Sequence, residues 1–186
     1  ALPMYLRTDD TYVLNASYQS SRTQGAWQSW TTSIFGSFVD HLMDNKLKPL
    51  DPRMLNASTH AKTRNYGGRA EGIWQLGSGK LFAGADIRVE GARGTRTRAF
   101  LMGPMEGKEL EDNVWQQSQI AKTGVFAEYR WNRNLWQWIV SGRLDWNAGQ
   151  IDKEATEFIK VYEETQSNQL NPGISMGGVR QLGRRM

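Results

Sequence analysis

Apolar and polar side chains alternate along most of the chain with a period of two residues. The clearest case is Thr123–Trp146, in which Val125, Tyr129 and Trp131 share one parity while the intervening positions carry charged or amide groups. Because successive side chains of an extended strand point to opposite faces, this period predicts β-structure. The short polar link at 132–134 predicts an antiparallel hairpin with one apolar face and one charged face.

The same alternation predicts seven strands in all. The predicted spans are Thr11–Gln19, Trp27–Asp40, Thr63–Leu76, Lys80–Arg93, the two arms of Thr123–Trp146, and Ile174–Leu182. Residues 1–10 are predicted to be irregular. Residues 152–164 carry apolar side chains at helical spacing, which predicts a short surface helix.

Short connections are predicted to alternate with three long loops, at about 41–62, 94–117 and 148–170. Strands of about ten residues, with short turns at one end and long loops at the other, are the plan of bacterial outer-membrane barrels. Five tryptophans lie near the short-turn end, where a membrane interface would place them; they are Trp27, Trp74, Trp131, Trp136 and Trp138. The alternative is a soluble antiparallel sandwich or lipocalin-like barrel, with the same aromatic side chains in its core.

Composition narrows these choices. The chain has 186 residues, no Cys and a formal net charge of +4, and its mean hydropathy is −0.62. No run approaches the roughly 18 apolar residues of a membrane helix, and disulfides and thiolate metal sites are excluded. Since bacterial barrels use an even number of strands, seven strands lead us to expect a segment of a larger barrel.

The order of several short motifs resembles that of one family. The motifs are Tyr66–Glu71, Gly84–Asp86, Gly124–Trp131, Val140–Asp145 and Asn171-Pro172-Gly173, the last of which is expected to open the seventh strand. Together they resemble the recurring barrel hairpins of TonB-dependent outer-membrane receptors, and the resemblance covers nearly the whole chain.

The resemblance implies an all-β fold in which residues 1–186 form about seven strands of an antiparallel transmembrane barrel of about twenty-two strands. It implies short turns in the periplasm, long loops outside the cell and a plug domain that this chain lacks. The implied location is the bacterial outer membrane, and the implied activity is nutrient import. The implied partners are outer-membrane lipid and lipopolysaccharide, the plug and the rest of the barrel, and TonB acting through the plug. No nucleic-acid partner is expected.

Histidine and methionine concentrate on the predicted long-loop side. Thioether sulfur and imidazole suit Cu(I), and no thiolate competes for it. This stretch is similar to the copper-receptor branch of the family, which implies import of copper, with an iron chelate of the siderophore type as the other metal cargo. The candidate ligands are His41, Met43, Met102 and Met105. The alternative is that these Met side chains fill irregular loop packing. We expect no resident cofactor.

Charged residues of both signs share the face opposite the apolar one. They are Glu71, Asp86, Arg88, Glu90, Glu128, Arg130, Arg143 and Asp145. Paired carboxylates can serve acid–base catalysis, but opposite charges on neighbouring strands more simply form ladders that line a wet lumen. The chain has no nucleophile elbow, phosphate loop or zinc spacing, so we expect no enzymatic activity.

Two further arginines, Arg96 and Arg98, fall in the second predicted long loop. There they are candidates for binding an anionic ligand, either a lipopolysaccharide phosphate or an anionic chelate; a solvated basic loop is the alternative. For the whole chain, a soluble antiparallel β binding module and a small complete outer-membrane barrel of the adhesin type remain the alternatives to a transporter segment.

Overall fold

The alternating segments form seven β-strands in the computed structural model of the protein, which describes residues 4–152 and 156–182. The strands are β1 (Tyr5–Ser21), β2 (Trp27–Asp44), β3 (Leu55–Leu76), β4 (Gly79–Phe100), β5 (Glu109–Arg133), β6 (Trp136–Gln150) and β7 (Gln166–Arg180). They form one sheet in the order β1-β2-β3-β4-β5-β6-β7, and each strand is antiparallel to the next. The prediction of an all-β antiparallel fold with seven strands is confirmed.

A short helix, α1 (Thr156–Val161), lies between β6 and β7. It falls within the predicted helical stretch, of which residues 153–155 lie outside the described residues. Within the described part of the chain, no helix has the length and apolar character needed to cross a membrane.

The strands are longer than the alternation predicts, because pairing continues through segments expected to be loops. The connections at one end are 45–54, 101–108 and 151–165, so the prediction of three loops of about twenty residues was wrong. The region 1–10, predicted to be irregular, contributes the start of β1. In these extensions the hydrophobic alternation is weak. In 55–62 it is carried mainly by the small residues Ala57 and Ala61, and in 109–118 polar side chains occur on both faces.

The seventh strand also begins earlier than predicted, at Gln166 rather than Ile174. The triplet Asn171-Pro172-Gly173 consequently lies inside β7 and does not open it. Proline cannot donate to a strand ladder, and Pro172 faces Leu144 of β6 in the register.

The connections at the opposite end are short: 22–26, 77–78 and 134–135. Gly77 and Asn134, each the first residue of a two-residue turn, have φ values of 59° and 56°. Glycine and asparagine adopt this left-handed conformation at low cost, which suits them to tight hairpins. The predicted alternation of short and longer connections therefore holds.

The register sorts the side chains into an apolar face and a charged face. The apolar face includes Tyr12, Leu14, Trp30, Ile34, Phe38, Tyr66, Trp74, Leu81, Ile87, Val89, Val125, Tyr129, Trp131, Trp138, Val140, Leu144, Trp146, Leu170, Ile174 and Met176. From Leu81 to Val89 on β4, and from Ala121 to Trp131 on β5, no Asp, Glu, Lys, Arg or His side chain has the parity of this face. We call this stretch the apolar band.

No second layer of the described chain covers the apolar band. The buried hydrophobic residues among those described are Ala57, Ala61 and Val89. By contrast, Ile174 is 88% exposed and Trp146 is 52% exposed. A sheet with this much bare apolar surface has no core of its own, so it needs an apolar environment that this segment does not supply.

The predicted tryptophans lie at the short-connection end of the apolar face. The Trp30 and Trp74 rings meet edge to face with centroids 6.4 Å apart. Tyr129 stacks on Trp131, and Trp136 stacks on Trp138, each pair at 5.5 Å. These rings form a belt along one border of the apolar band, as amphipathic aromatics do at a boundary between hydrocarbon and water.

The opposite end is held by a buried polar contact at the start of connection 45–54. Asn45 is fully buried; its Nδ2 donates to the Leu55 carbonyl at 3.0 Å and its Oδ1 accepts from the Ala57 N–H at 2.8 Å. Arg53 donates to the Asn45 carbonyl at 3.2 Å and to the Lys48 carbonyl at 2.5 Å. The connection is therefore folded back against the ends of β2 and β3.

We expect Asn45→Ala to lower the free energy of unfolding by about 1–3 kcal/mol, because it leaves a buried N–H and a buried carbonyl without partners. Denaturant titration followed by Trp fluorescence measures this change. The control is Asn15→Ala on the exposed strand β1, for which we expect a change within about 0.5 kcal/mol. Equal effects of the two substitutions would contradict a structural role for Asn45.

Candidate functional site

Four neighbouring strands each place an arginine and a carboxylate two positions apart on the charged face. The pairs are Arg69–Glu71 on β3, Arg88–Glu90 on β4, Glu128–Arg130 on β5 and Arg143–Asp145 on β6. Because residues i and i+2 of a strand point to the same side, the two members of each pair are in contact. Asp86 lies opposite Arg69 in the register, so all eight residues singled out in the sequence share this face, and Arg69 joins them.

Arg143 links two strands that are not neighbours, β4 and β6. Its Nη1 and Nη2 donate to the two carboxylate oxygens of Asp86 at 2.9 and 3.0 Å, and its Nε donates to Asp145 at 2.8 and 2.9 Å. Asp86 lies on β4 and Arg143 on β6, so the guanidinium crosses β5 to reach its partner. A bidentate pair of this kind fixes the orientation of the guanidinium as well as its distance from the carboxylate.

Gly124 on β5 makes that crossing possible. It lies in the same row as Asp86 and Asp145, and a Cβ at this position would be 2.3 Å from Arg143 Nη2 and 2.7 Å from Asp145 Oδ1. A side chain there would occupy the space that the guanidinium fills. Gly124 therefore permits a contact between the strands on either side of it, β4 and β6.

Aromatic rings on the charged face support the arginines. The Arg69 guanidinium lies 4.6 Å and the Arg143 guanidinium 5.8 Å from the centroid of the Phe126 ring. Arg130 lies 4.7 Å from the centre of the Phe82 ring in the same manner. The rings hold these guanidinium groups in position while the arginine side chains stay 38–48% exposed to solvent.

Lys122 was not among the predicted site residues, but it belongs to this network. Its Nζ is 3.0 Å from Glu90 Oε2, and Arg88 also contacts Glu90, at 2.6 Å. The parity of β5 places Lys122 on the charged face, and this signal was available in the sequence. With it, the network contains as many cations as carboxylates, so it forms a paired, hydrophilic wall.

Arg96 and Arg98 lie in β4, and the prediction that they belong to a loop was wrong. Arg96 makes a bidentate pair with Asp112 at 2.5 and 3.1 Å, and Arg98 lies 3.4 Å from the same carboxylate. Hydrogen bonding to Arg96 holds the pKa of Asp112 below its ordinary value, and the same bond raises the pKa of Arg96. An anionic ligand would therefore have to compete with Asp112 for these two arginines.

The predicted metal ligands are divided between two places. His41 and Met43 lie near the end of β2, whereas Met102 and Met105 lie in connection 101–108. His41 Nδ1 is 3.9 Å from Asp9 Oδ1. Among the described residues no group of three or more His, Cys, Asp or Glu side chains is placed to hold a metal ion.

The other histidine lies on the opposite side of the sheet from His41. His41 pairs with Ala61 across the β2–β3 register, so the neighbouring His60 points to the other face. His60 Nε2 is 2.5 Å from Asp40 Oδ1. The two imidazoles therefore cannot share one ion.

Met54 is the residue that sequence reasoning left out of the candidate metal site. Its carbonyl accepts a hydrogen bond from the Leu101 N–H at 2.9 Å, and a Cβ built on Gly103 would lie 3.9 Å from Met54 Cε. This contact places Met54 against the connection that carries Met102 and Met105. Only the folding of two separate connections against each other reveals it.

Neither a comparison with protein-family models nor one with curated proteins found a match to the chain. Among solved structures, the chain is similar to a copper transporter, OprC, with a TM-score of 0.72 and 16% sequence identity. The similarity covers 97% of this chain and 30% of that chain. The likeness shows the fold: the seven strands are arranged as a segment of a larger β-sheet protein.

We expect Gly124→Ala to break the Asp86–Arg143 contact, because the added methyl group takes the place of the guanidinium. A double-mutant cycle with Asp86→Asn and Arg143→Gln measures the coupling free energy of the pair. In the parent sequence the coupling should be about 0.5–1 kcal/mol, as for exposed pairs of good geometry. In the Gly124→Ala background it should fall to near zero.

The matched control is Gly142→Ala on the neighbouring strand, where a Cβ would meet only the Gly173 carbonyl, at 3.9 Å. The Asp86–Arg143 coupling should survive this substitution. Coupling that persists in the Gly124→Ala background would contradict the role assigned to Gly124.

Proposed function

We propose that this chain is part of the wall of a TonB-dependent transporter of the bacterial outer membrane, which imports a metal or a metal chelate. The main observation behind the proposal is that the apolar band is uncovered, while the opposite face of the same sheet bears paired charges. The proposed partners are outer-membrane lipid, the remaining strands, a plug domain and TonB. In this proposal the chain carries out no chemical step.

The dimensions of the apolar band fit a bilayer. It extends over nine residues of β4, from Leu81 to Val89, and eleven of β5, from Ala121 to Trp131. Transmembrane strands need about 9–11 residues when tilted by about 45°, and barrels of the outer membrane carry an outward apolar band about 25 Å tall. A soluble sandwich would instead need a second layer over this face.

The charged face fits a water-filled interior. Its side chains are partly exposed and paired, so they need water or a polar plug beside them rather than lipid. Exposed pairs contribute only about 0–1 kcal/mol each. Their role in this proposal is to keep the inner wall hydrophilic and ordered.

A metal cargo is supported by the soft donors at the long-connection end. Met54 lies against the connection that bears Met102 and Met105, and thioether sulfur favours Cu(I). One of the solved structures that this chain resembles in fold is a copper transporter. Copper is therefore the first cargo to test, and an iron chelate is the second.

We expect Val125→Arg to destabilise the full-length protein in phospholipid bilayers by about 2–4 kcal/mol, the cost of an arginine facing hydrocarbon near the midplane. The measurement is reversible folding into vesicles, followed by Trp fluorescence. The control is Ser141→Arg, on the charged face three rows away, which should change stability by less than about 1 kcal/mol.

Two results would refute the membrane assignment. One is that the full-length protein folds and stays dispersed in buffer without lipid or detergent. The other is an equal effect of Val125→Arg and Ser141→Arg.

For the cargo, we expect the triple substitution Met54→Leu, Met102→Leu and Met105→Leu to weaken Cu(I) binding by the full-length protein at least about tenfold, or about 1.4 kcal/mol. Leucine keeps the apolar volume and removes the sulfur ligand. Competition with a chromogenic Cu(I) chelator measures the affinity. The control is Met176→Leu on the apolar face, which should leave it unchanged. Unchanged affinity in the triple variant would remove copper as the cargo of this site while leaving the barrel assignment intact.

A further inference from the structure

A groove of about 650 Å³ lies across the strands where the apolar band ends, on the side away from the short connections. Tyr12 and Phe38, at the edge of the band, line its apolar part. Lys62, Arg64 and Arg93 line its polar part, together with Gln119. The groove therefore combines aromatic surface with cationic groups at one height on the sheet.

The register explains why cations point to this side of the sheet. Tyr12, Phe38 and Arg64 lie in one row across β1, β2 and β3, and the next row contains Asp40, Lys62 and Arg93 on β2, β3 and β4. These side chains have the parity of the apolar face. They are the first charged groups met on that face beyond the band, so they lie at its border rather than in the interior of a barrel.

Gly91 on β4 shapes the groove. A Cβ at this position would be 2.9 Å from Arg64 Nε, so the arginine side chain lies across the bare backbone of β4. Its Nη2 then donates a hydrogen bond to Gln119 Oε1 on β5. The guanidinium is thus held at the groove by a neutral partner that does not cancel its charge.

The acidic groups do not neutralise both arginines. Asp40 is engaged by Lys62 at 2.6 Å and by His60 at 2.5 Å, and Asp152 also lines the groove. Among the ion pairs between described residues, none includes Arg64 or Arg93. Two guanidinium groups are left for an external anion.

An amphiphile with a phosphate headgroup matches this surface. Guanidinium binds phosphate through two parallel hydrogen bonds, while Tyr12 and Phe38 extend the groove into the apolar band, where an acyl chain would lie. A free phosphate ion would leave that aromatic part unused. The outer leaflet would border this end of the band if the short connections face the periplasm.

We propose that the groove binds the phosphorylated glycolipid headgroup of lipopolysaccharide, with Arg64 and Arg93 contacting a phosphate. This inference rests on the proposed function, because it needs the apolar band to lie in the outer membrane. It assigns to the long-connection border a lipid site that is separate from the paired charges of the opposite face.

The test uses the full-length protein in detergent micelles and two purified probes, bis-phosphorylated lipid A and the same lipid A after removal of both phosphates. We expect the parent protein to bind the phosphorylated probe at least about tenfold more tightly, a difference of about 1.4 kcal/mol. The double variant Arg64→Gln/Arg93→Gln should bind both probes equally. Native mass spectrometry measures the bound fractions.

Arg180→Gln is the matched control. Arg180 pairs with Trp136 in the register and therefore lies on the same face but at the short-connection end. This variant should keep the full preference for the phosphorylated probe. Loss of the preference in this variant would mean that general surface charge, and not the groove, attracts the lipid.

Three other results would overturn the inference. They are no preference in the parent protein, an unchanged preference in the double variant, and displacement of lipid A by a millimolar excess of inorganic phosphate. If the double variant does not fold, the comparison of the two probes on the parent protein still decides. A protein that inserts into bilayers yet ignores the phosphates refutes the groove alone, whereas failure to insert refutes the proposed function.

Discussion

Strand register is the constraint on which both faces of this sheet depend. Side chains alternate along each strand, so a slip of one residue in β3, β4, β5 or β6 would turn charged groups onto the apolar face. In the proposed setting each arginine facing the bilayer midplane would cost about 2–4 kcal/mol. Four adjacent strands each carry such groups, and a slipped sheet could not occupy the same membrane. In that setting, parity decides whether each side chain meets lipid or water.

The same local arrangement, a glycine with a long cationic side chain lying across it, occurs on both faces. On the charged face, Gly124 of β5 lets Arg143 of β6 reach Asp86 on β4. On the other face, Gly91 of β4 lets Arg64 of β3 reach Gln119 on β5. In each case a glycine on the middle strand leaves room for a long cation to link the strands on either side. Such contacts depend on the register and also reinforce it.

The number and order of the strands and the residues of the charged face were predictable, because period two is a local signal that survives wherever one face is apolar. The strand extensions were not, since the alternation in 55–62 is carried mainly by small alanines and polar side chains occur on both faces of 109–118. Contacts between side chains on different strands could not be predicted from the sequence either. The link from Arg143 to Asp86, the approach of Met54 to connection 101–108, and the placement of His41 and His60 on opposite faces all require the register.

Beyond the apolar band, different interactions hold the strands. β4 continues to Phe100 and β5 begins at Glu109, and the described hydrophobic residues that are buried beyond the band are the small Ala57 and Ala61. The backbone ladder is supplemented by Asn45 and Arg53 at the β2–β3 connection and by the pair of Arg96 with Asp112 between β4 and β5. Each of the two hairpins thus has its own polar anchor. Because the Leu101 N–H also bonds to the Met54 carbonyl, the two connections are joined to each other, and this joined unit carries Met54, Met102 and Met105.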